Sequence, residues 1–124
     1  MPLPHLAAPI LALLVTAAAP AEQRIEVALS NFRFTPATIQ LVHGQPYVLH
    51  LSSRGGHSFA ARAFFAAATM PAAERARLKG GKIELAGGES ADIRFVAPAP
   101  GTYPIKCTHF LHAGFGMTGK FVVR

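Results

Sequence analysis

The chain has no tryptophan, a single cysteine, and only six acidic residues against twelve lysines and arginines. Each shortage excludes something. One cysteine cannot form an internal disulfide, so Cys107 must be a free thiol, an intermolecular bridge or a metal ligand. No paired carboxylates, phosphate-cradling glycine loop or nucleotide fingerprint appears, which removes the commonest hydrolytic and nucleotide-dependent chemistries. Cys107 near a histidine could suggest a thiol nucleophile, but no Asp or Asn lies close by to orient the pair. Long apolar runs are missing as well. Leu6 to Val15 is too short to span a bilayer, and nothing later in the chain approaches that length.

That early run has another use. "HLAAPILALLVTAAAPA" is an apolar stretch followed by small residues, as in an export signal. Its n-region carries no Lys or Arg. Ala19-Pro20-Ala21 offers a small-x-small cleavage site, so residues 1–21 are expected to be removed, with Glu22 as the new N-terminus. Cleavage after Ala19 would put Pro20 first, and an uncleaved anchor is the other alternative. The expected location is the periplasm or an equivalent exported space.

All charged side chains lie beyond residue 21, so the net charge of +6 belongs to the segment 22–124. That segment has the length of one domain. Its charge favours acidic partners or an anionic membrane surface. Nucleic acid is not expected as a partner: the basic residues are scattered, apart from Arg75, Arg77, Lys79 and Lys82, and export separates the chain from nucleic acid.

Hydrophobic residues make up 51% of the chain, enough for a core. Period-two alternation recurs between glycine and proline turns. "RIEVALS" puts Ile25, Val27 and Leu29 on one face. "PYVLHLSS" does the same with Tyr47, Leu49 and Leu51, leaving Val48 and His50 outward; "GTYPIKC" aligns Tyr103, Ile105 and Cys107. Strands are also expected over Ala37 to Val42, in "GKIELAGG" and "ESADIRFVAP", and in the closing "MTGKFVVR". Pro104 cannot donate to a ladder, so its strand should be an edge there or irregular. Residues 61–79 are alanine-rich and predict a short helix, a break at Pro71 and a second turn from Ala72 to Leu78. Phe64, Phe65 and Met70 should face the core. The sum is an all-β Greek-key sandwich of about seven or eight strands with one helical insert.

Residues 107–117 read "CTHFLHAGFGM". A thiolate (Cys107), an imidazole (His112) and a thioether (Met117) fall on one loop between two strands, so their closure entropy is small. Thiolate with thioether selects copper over hard cations, and zinc seldom recruits methionine. A trigonal copper site needs a second histidine. His57, in the loop "GGHSF" just after a strand, is the best candidate, and a His2Cys set with a weak axial Met is the electron-transfer arrangement of copper. His109 is a rival, two residues from the thiolate. His43 and His50 are expected to be surface histidines.

Three separated pieces resemble the cupredoxin family, the small blue-copper proteins that include plastocyanin, pseudoazurin and rusticyanin. They are "NFRFTPATIQLVHGQPYVLHLSS", "GGHSF" and "GTYPIKC" with its following His and "GMTGKFVV". The resemblance covers most of residues 22–124. It implies one type 1 copper ion held by His57, Cys107, His112 and Met117, and a one-electron carrier rather than an enzyme. A copper carrier or resistance and delivery protein, without a place in a redox chain, is the alternative. The resemblance further implies a monomer whose redox partner docks on an apolar patch around His112, formed by Leu111, Ala113, Gly114 and Phe115. Ser58 stands where the family often has Asn, and could still clamp the cysteine loop.

Overall fold

The computed structural model describes residues 1–15 and 20–124. Ala19 of the expected cleavage site lies outside the described residues. Residues 1–15 form no helix or strand and are exposed. No described helix is long and apolar enough to cross a membrane. Every described strand, helix and core residue lies between Gln23 and Val123.

Among the described residues nine strands form two sheets, one or two more than the alternation predicts. In the first sheet, β1 (Gln23–Ser30) lies between β2 (Arg33–Thr35) and β4 (Pro46–Ser53), and β7 (Ser90–Val96) pairs with the far side of β4. The second runs in the order β3 (Thr38–Leu41), β9 (Thr118–Val123), β8 (Gly101–Lys106), β5 (His57–Ala60), β6 (Lys82–Leu85). β1 with β4 and β3 with β9 are parallel, and the other pairs are antiparallel. β2 and β5 are strands that the sequence hides, because three or four residues are too few to show a period.

The inward residues are those that alternation selects. Val27, Leu29, Ile39, Leu41, Leu49, Leu51, Ile93, Phe95, Phe121 and Val123 are buried between the sheets. Val48 departs from expectation, because it is buried although it faces outward. Its partners in register are Arg24 on β1 and Arg94 on β7, and arginine stems cover an apolar neighbour while their heads stay in water. His50 is likewise not a free surface group: its Nδ1 lies 2.6 Å from Asp92 Oδ1. That hydrogen bond holds the Asp92 carboxyl below its usual range.

The insert folds as its composition predicts. α1 (Arg62–Ala67) and α2 (Ala72–Ala76) flank a break that ends at Pro71. α1 drops Phe64 and Phe65 into the core, and Met70 packs partly buried against it. Arg75 reaches back from α2 to the carbonyls of Phe65 and Ala68 at 2.8 and 2.9 Å, satisfying groups that a helix end leaves open. Pro104 is tolerated for a local reason. β8 is interior in the strand order, yet it pairs with β5 only at Ala60 and Lys106, so beside Pro104 it is an edge.

Candidate metal centre

The site forms where the β8–β9 loop folds over the start of β5. Cys107 leaves β8 and Met117 enters β9, and the Cys107 N–H donates to the Met117 carbonyl at 3.1 Å. The Met117 N–H donates in turn to the His112 carbonyl at 3.0 Å. Between them, Leu111 adopts φ of 63°, and a 3-10 turn over Ala113–Phe115 ends at Gly116 with φ of 97°. A non-glycine residue at positive φ is costly, and such strain gathers at functional loops. Here it turns His112 back toward the thiol.

His57 completes the group. It is the first residue of β5 and so belongs to a strand, not to the loop that the sequence suggests. Gly55, at φ of 74°, makes the turn just before it. Strand pairing fixes His57 opposite Leu85, and the residue is only 6% exposed. One donor atom each from His57, Cys107 and His112 falls within 4.8 Å of the others. The His57 and His112 Nδ1 atoms are 3.2 Å apart, and Cys107 Sγ is 3.5 Å from His112 Nδ1. Two imidazole nitrogens at that distance need a proton or a cation between them.

The surroundings keep His57 neutral. Burial lowers the His57 pKa, a hydrogen bond with the Arg54 backbone offsets part of this, and the neighbouring His112 and His109 add smaller lowering effects. Neutral imidazole is the form that binds a metal. A sign follows for the metal-free domain. The unfolded His57 titrates near 6.5 and the folded one below it. Above that value there is no penalty. As pH falls below it, the unfolded chain takes up a proton that the folded state refuses, so stability is lost until pH passes the folded pKa. The urea midpoint of metal-free protein should therefore fall with pH below about 6.5, and the slope should flatten in His57→Gln.

Ser58, although it stands where the family often has Asn, contacts the thiol in two ways at once. Its backbone N–H points at Cys107 Sγ at 3.4 Å, with its hydroxyl at 3.7 Å. The same Oγ accepts the Thr108 N–H at 2.7 Å and lies 2.8 Å from Thr108 Oγ1. Ser58 is fully buried. Ser58→Ala removes these hydroxyl contacts and should cost about 1–3 kcal/mol in urea unfolding, with the backbone contact to sulfur retained.

His109 stands beside the group, its ring centre 5.2 Å from that of His112, but its Nε2 is engaged elsewhere and it is not among the clustered donors. Its Nε2 is 2.7 Å from Glu84 Oε2, and its ring centre is 6.3 Å from that of His57. Glu84 sits opposite Ser58 on β6, so the same pair of strands holds the thiol and holds off the rival. His43 is exposed and bonded to the Pro98 carbonyl at 2.9 Å.

Sequence reasoning missed Phe32 and the orienting role of Glu84. Phe32, at φ of 57°, stands edge-on to His112 with ring centres 4.9 Å apart and also touches Phe115. Phe32, Phe110, Leu111 and Phe115 are the exposed large apolar residues around His112. The signal was an aromatic in the tight "SNFRF" turn, where nothing local rewards it.

The donor set of two imidazoles and a thiolate, with a thioether tied to the same loop, suits a soft or borderline ion such as copper. The Cupredoxin-like domain family matches residues 5–123. No curated protein matches in sequence. Among solved structures, auracyanin B is similar at a TM-score of 0.61 and 20% identity, over 89% of this chain and 94% of its own. Auracyanin from the photosynthetic bacterium Roseiflexus castenholzii gives 0.61 and 22%, over 82% and 97%. Auracyanin A from Chloroflexus aurantiacus, described as a "blue" copper protein, gives 0.58 and 22%, over 84% and 100%. On its sequence, with the sandwich and the clustered His57, Cys107 and His112 in agreement, this chain belongs to the cupredoxin-like domain family.

Proposed function

We propose that this chain is a type 1 copper protein that carries single electrons. One observation carries the reading: His57 Nδ1, Cys107 Sγ and His112 Nδ1 converge from a rigid strand and a strand-anchored loop. These three would hold the ion, with the Met117 thioether as a weak additional ligand. Bound there, copper supplies one-electron exchange between its two oxidation states. The chain's own part is to fix the ligands. β5 holds His57, and the Ser58 N–H and hydroxyl orient the sulfur. Glu84 keeps His109 aside, and the buried Cys107 and Met117 exclude water. A site held by its surroundings changes little between redox states.

His112 is the partly exposed member, set among Phe32, Phe110, Leu111 and Phe115. A redox partner would dock on this apolar patch, in a small and transient contact. The net charge of +6 would steer an acidic partner to it. Residues 1–21 would be a leader removed on export, leaving 22–124 as a monomeric domain outside the cytoplasm. The relatives described as auracyanins, one of them a "blue" copper protein, support the reading.

Voltammetry of copper-loaded residues 22–124 tests the carrier role. A reversible one-electron wave is the expected result. A colourless protein that binds only Cu(I) and gives no wave would replace this reading with copper delivery.

A further inference from the structure

A groove of about 880 Å3 opens on the second sheet, on the side of β5 and β8 that α1 overhangs. It exists because β5 and β8 touch only at Ala60 and Lys106 and then diverge. Small or ring side chains leave it open: Ala63, Ala66, Pro104 and Gly119 line it. Four cations, Arg62, Lys79, Lys82 and Lys106, surround this apolar floor, and no Asp or Glu does. Among the described residues, Arg62, Lys79 and Lys106 have no acidic partner, and Lys82 pairs with Glu84 at 3.5 Å from outside the groove.

The crowding of like charge is built into the backbone. The Lys79 N–H donates to the Lys82 carbonyl at 2.9 Å, and the Ala61 N–H to the Gly81 carbonyl at 3.0 Å. The lysine turn is thereby fastened to the start of α1. A Cβ on Gly81 would meet the Arg62 Cα at 2.6 Å, so glycine is required for this approach. Arg62, Lys79 and Lys106 thus stand exposed around one apolar floor with no carboxylate among the lining residues, an arrangement that an anion would complement.

We infer that this groove binds an amphipathic organic anion, its apolar body on the alanine floor and its acidic group among Arg62, Lys79, Lys82 and Lys106. The volume suits a small ligand, since such sites run to roughly 300–1,000 Å3. A concave floor ringed by cations fits a compact molecule better than a flat acidic protein surface. Lys106 and Thr108 flank Cys107 in the chain, so the occupant would sit next to the cysteine loop, on lining residues that do not include Phe110 or Phe115.

The test titrates residues 22–124, reduced, with the fluorescent anion anilinonaphthalene sulfonate, and competes it with dodecanoate or uncharged dodecanol. Amide NMR locates the site. Perturbations are expected at Arg62–Ala66, Lys79–Lys82, Lys106 and Gly119, with displacement by dodecanoate alone. The double variant Lys79→Gln/Lys106→Gln should bind about tenfold more weakly. Ala63→Phe, which fills the groove from an exposed helix position without changing charge, should weaken binding by at least about as much. Perturbations centred on Phe110 and Phe115, unaltered binding in either variant, or equal displacement by dodecanol would overturn the inference.

Discussion

Phe64→Ala should cost about 3–5 kcal/mol, a large share of what a domain of this size has to lose. Phe64 is fully buried. Its ring stacks on Phe121 with centres 3.8 Å apart and meets Phe95 and Tyr103 edge-on at 5.0 and 5.5 Å. It thus joins α1 to β7, β8 and β9 at a single point. Removing it leaves a cavity that these neighbours cannot fill, because each belongs to a different strand. Urea unfolding of the metal-free domain measures the loss, and the thermal midpoint should fall by more than about 10 °C. Phe115→Ala, on the exposed patch, should stay within about 0.5 kcal/mol of wild type. A loss below about 1 kcal/mol for Phe64→Ala would mean that the insert is not part of the core.

His57→Ala should lower copper affinity by at least about 100-fold, since altering even an orienting partner of a metal ligand costs 10–100-fold. His57 supplies the one imidazole that does not come from the Cys107–Met117 loop. Without it the loop holds one imidazole, one thiolate and a weak thioether, and a nearby histidine is held by Glu84 at 2.7 Å. His109→Ala should leave the affinity within about twofold. The comparison is read in competitive titration with a chelator. Loss of affinity in His109→Ala with retention in His57→Ala would reverse the assignment of the two residues.

What could be read in advance followed the range of the interactions. Cys107, His112 and Met117 share a loop whose two ends are adjacent strands, so the approach of His112 to Cys107 is a local property. The inward faces of β1, β4 and β7 follow period-two alternation in the same way. Ser58 adjoins the first histidine, and its clamp could be anticipated from that neighbour alone. Longer-range features could not. Val48 is buried by arginines from two other strands, and Glu84 meets His109 across 25 positions. Phe32 reaches His112 from a turn in the opposite sheet. The placement of His57 on a strand depends on pairing with β6, which no pattern within "GGHSF" reveals.

Cys107, His57 and His112 would together hold one copper ion. Addition of one equivalent of Cu(II) to residues 22–124, followed in the visible spectrum, tests it most directly. An intense thiolate-to-copper band that saturates at one ion per chain, survives His109→Ala and vanishes in Cys107→Ala is the result expected. A colourless complex, or a band that persists without Cys107, would contradict it.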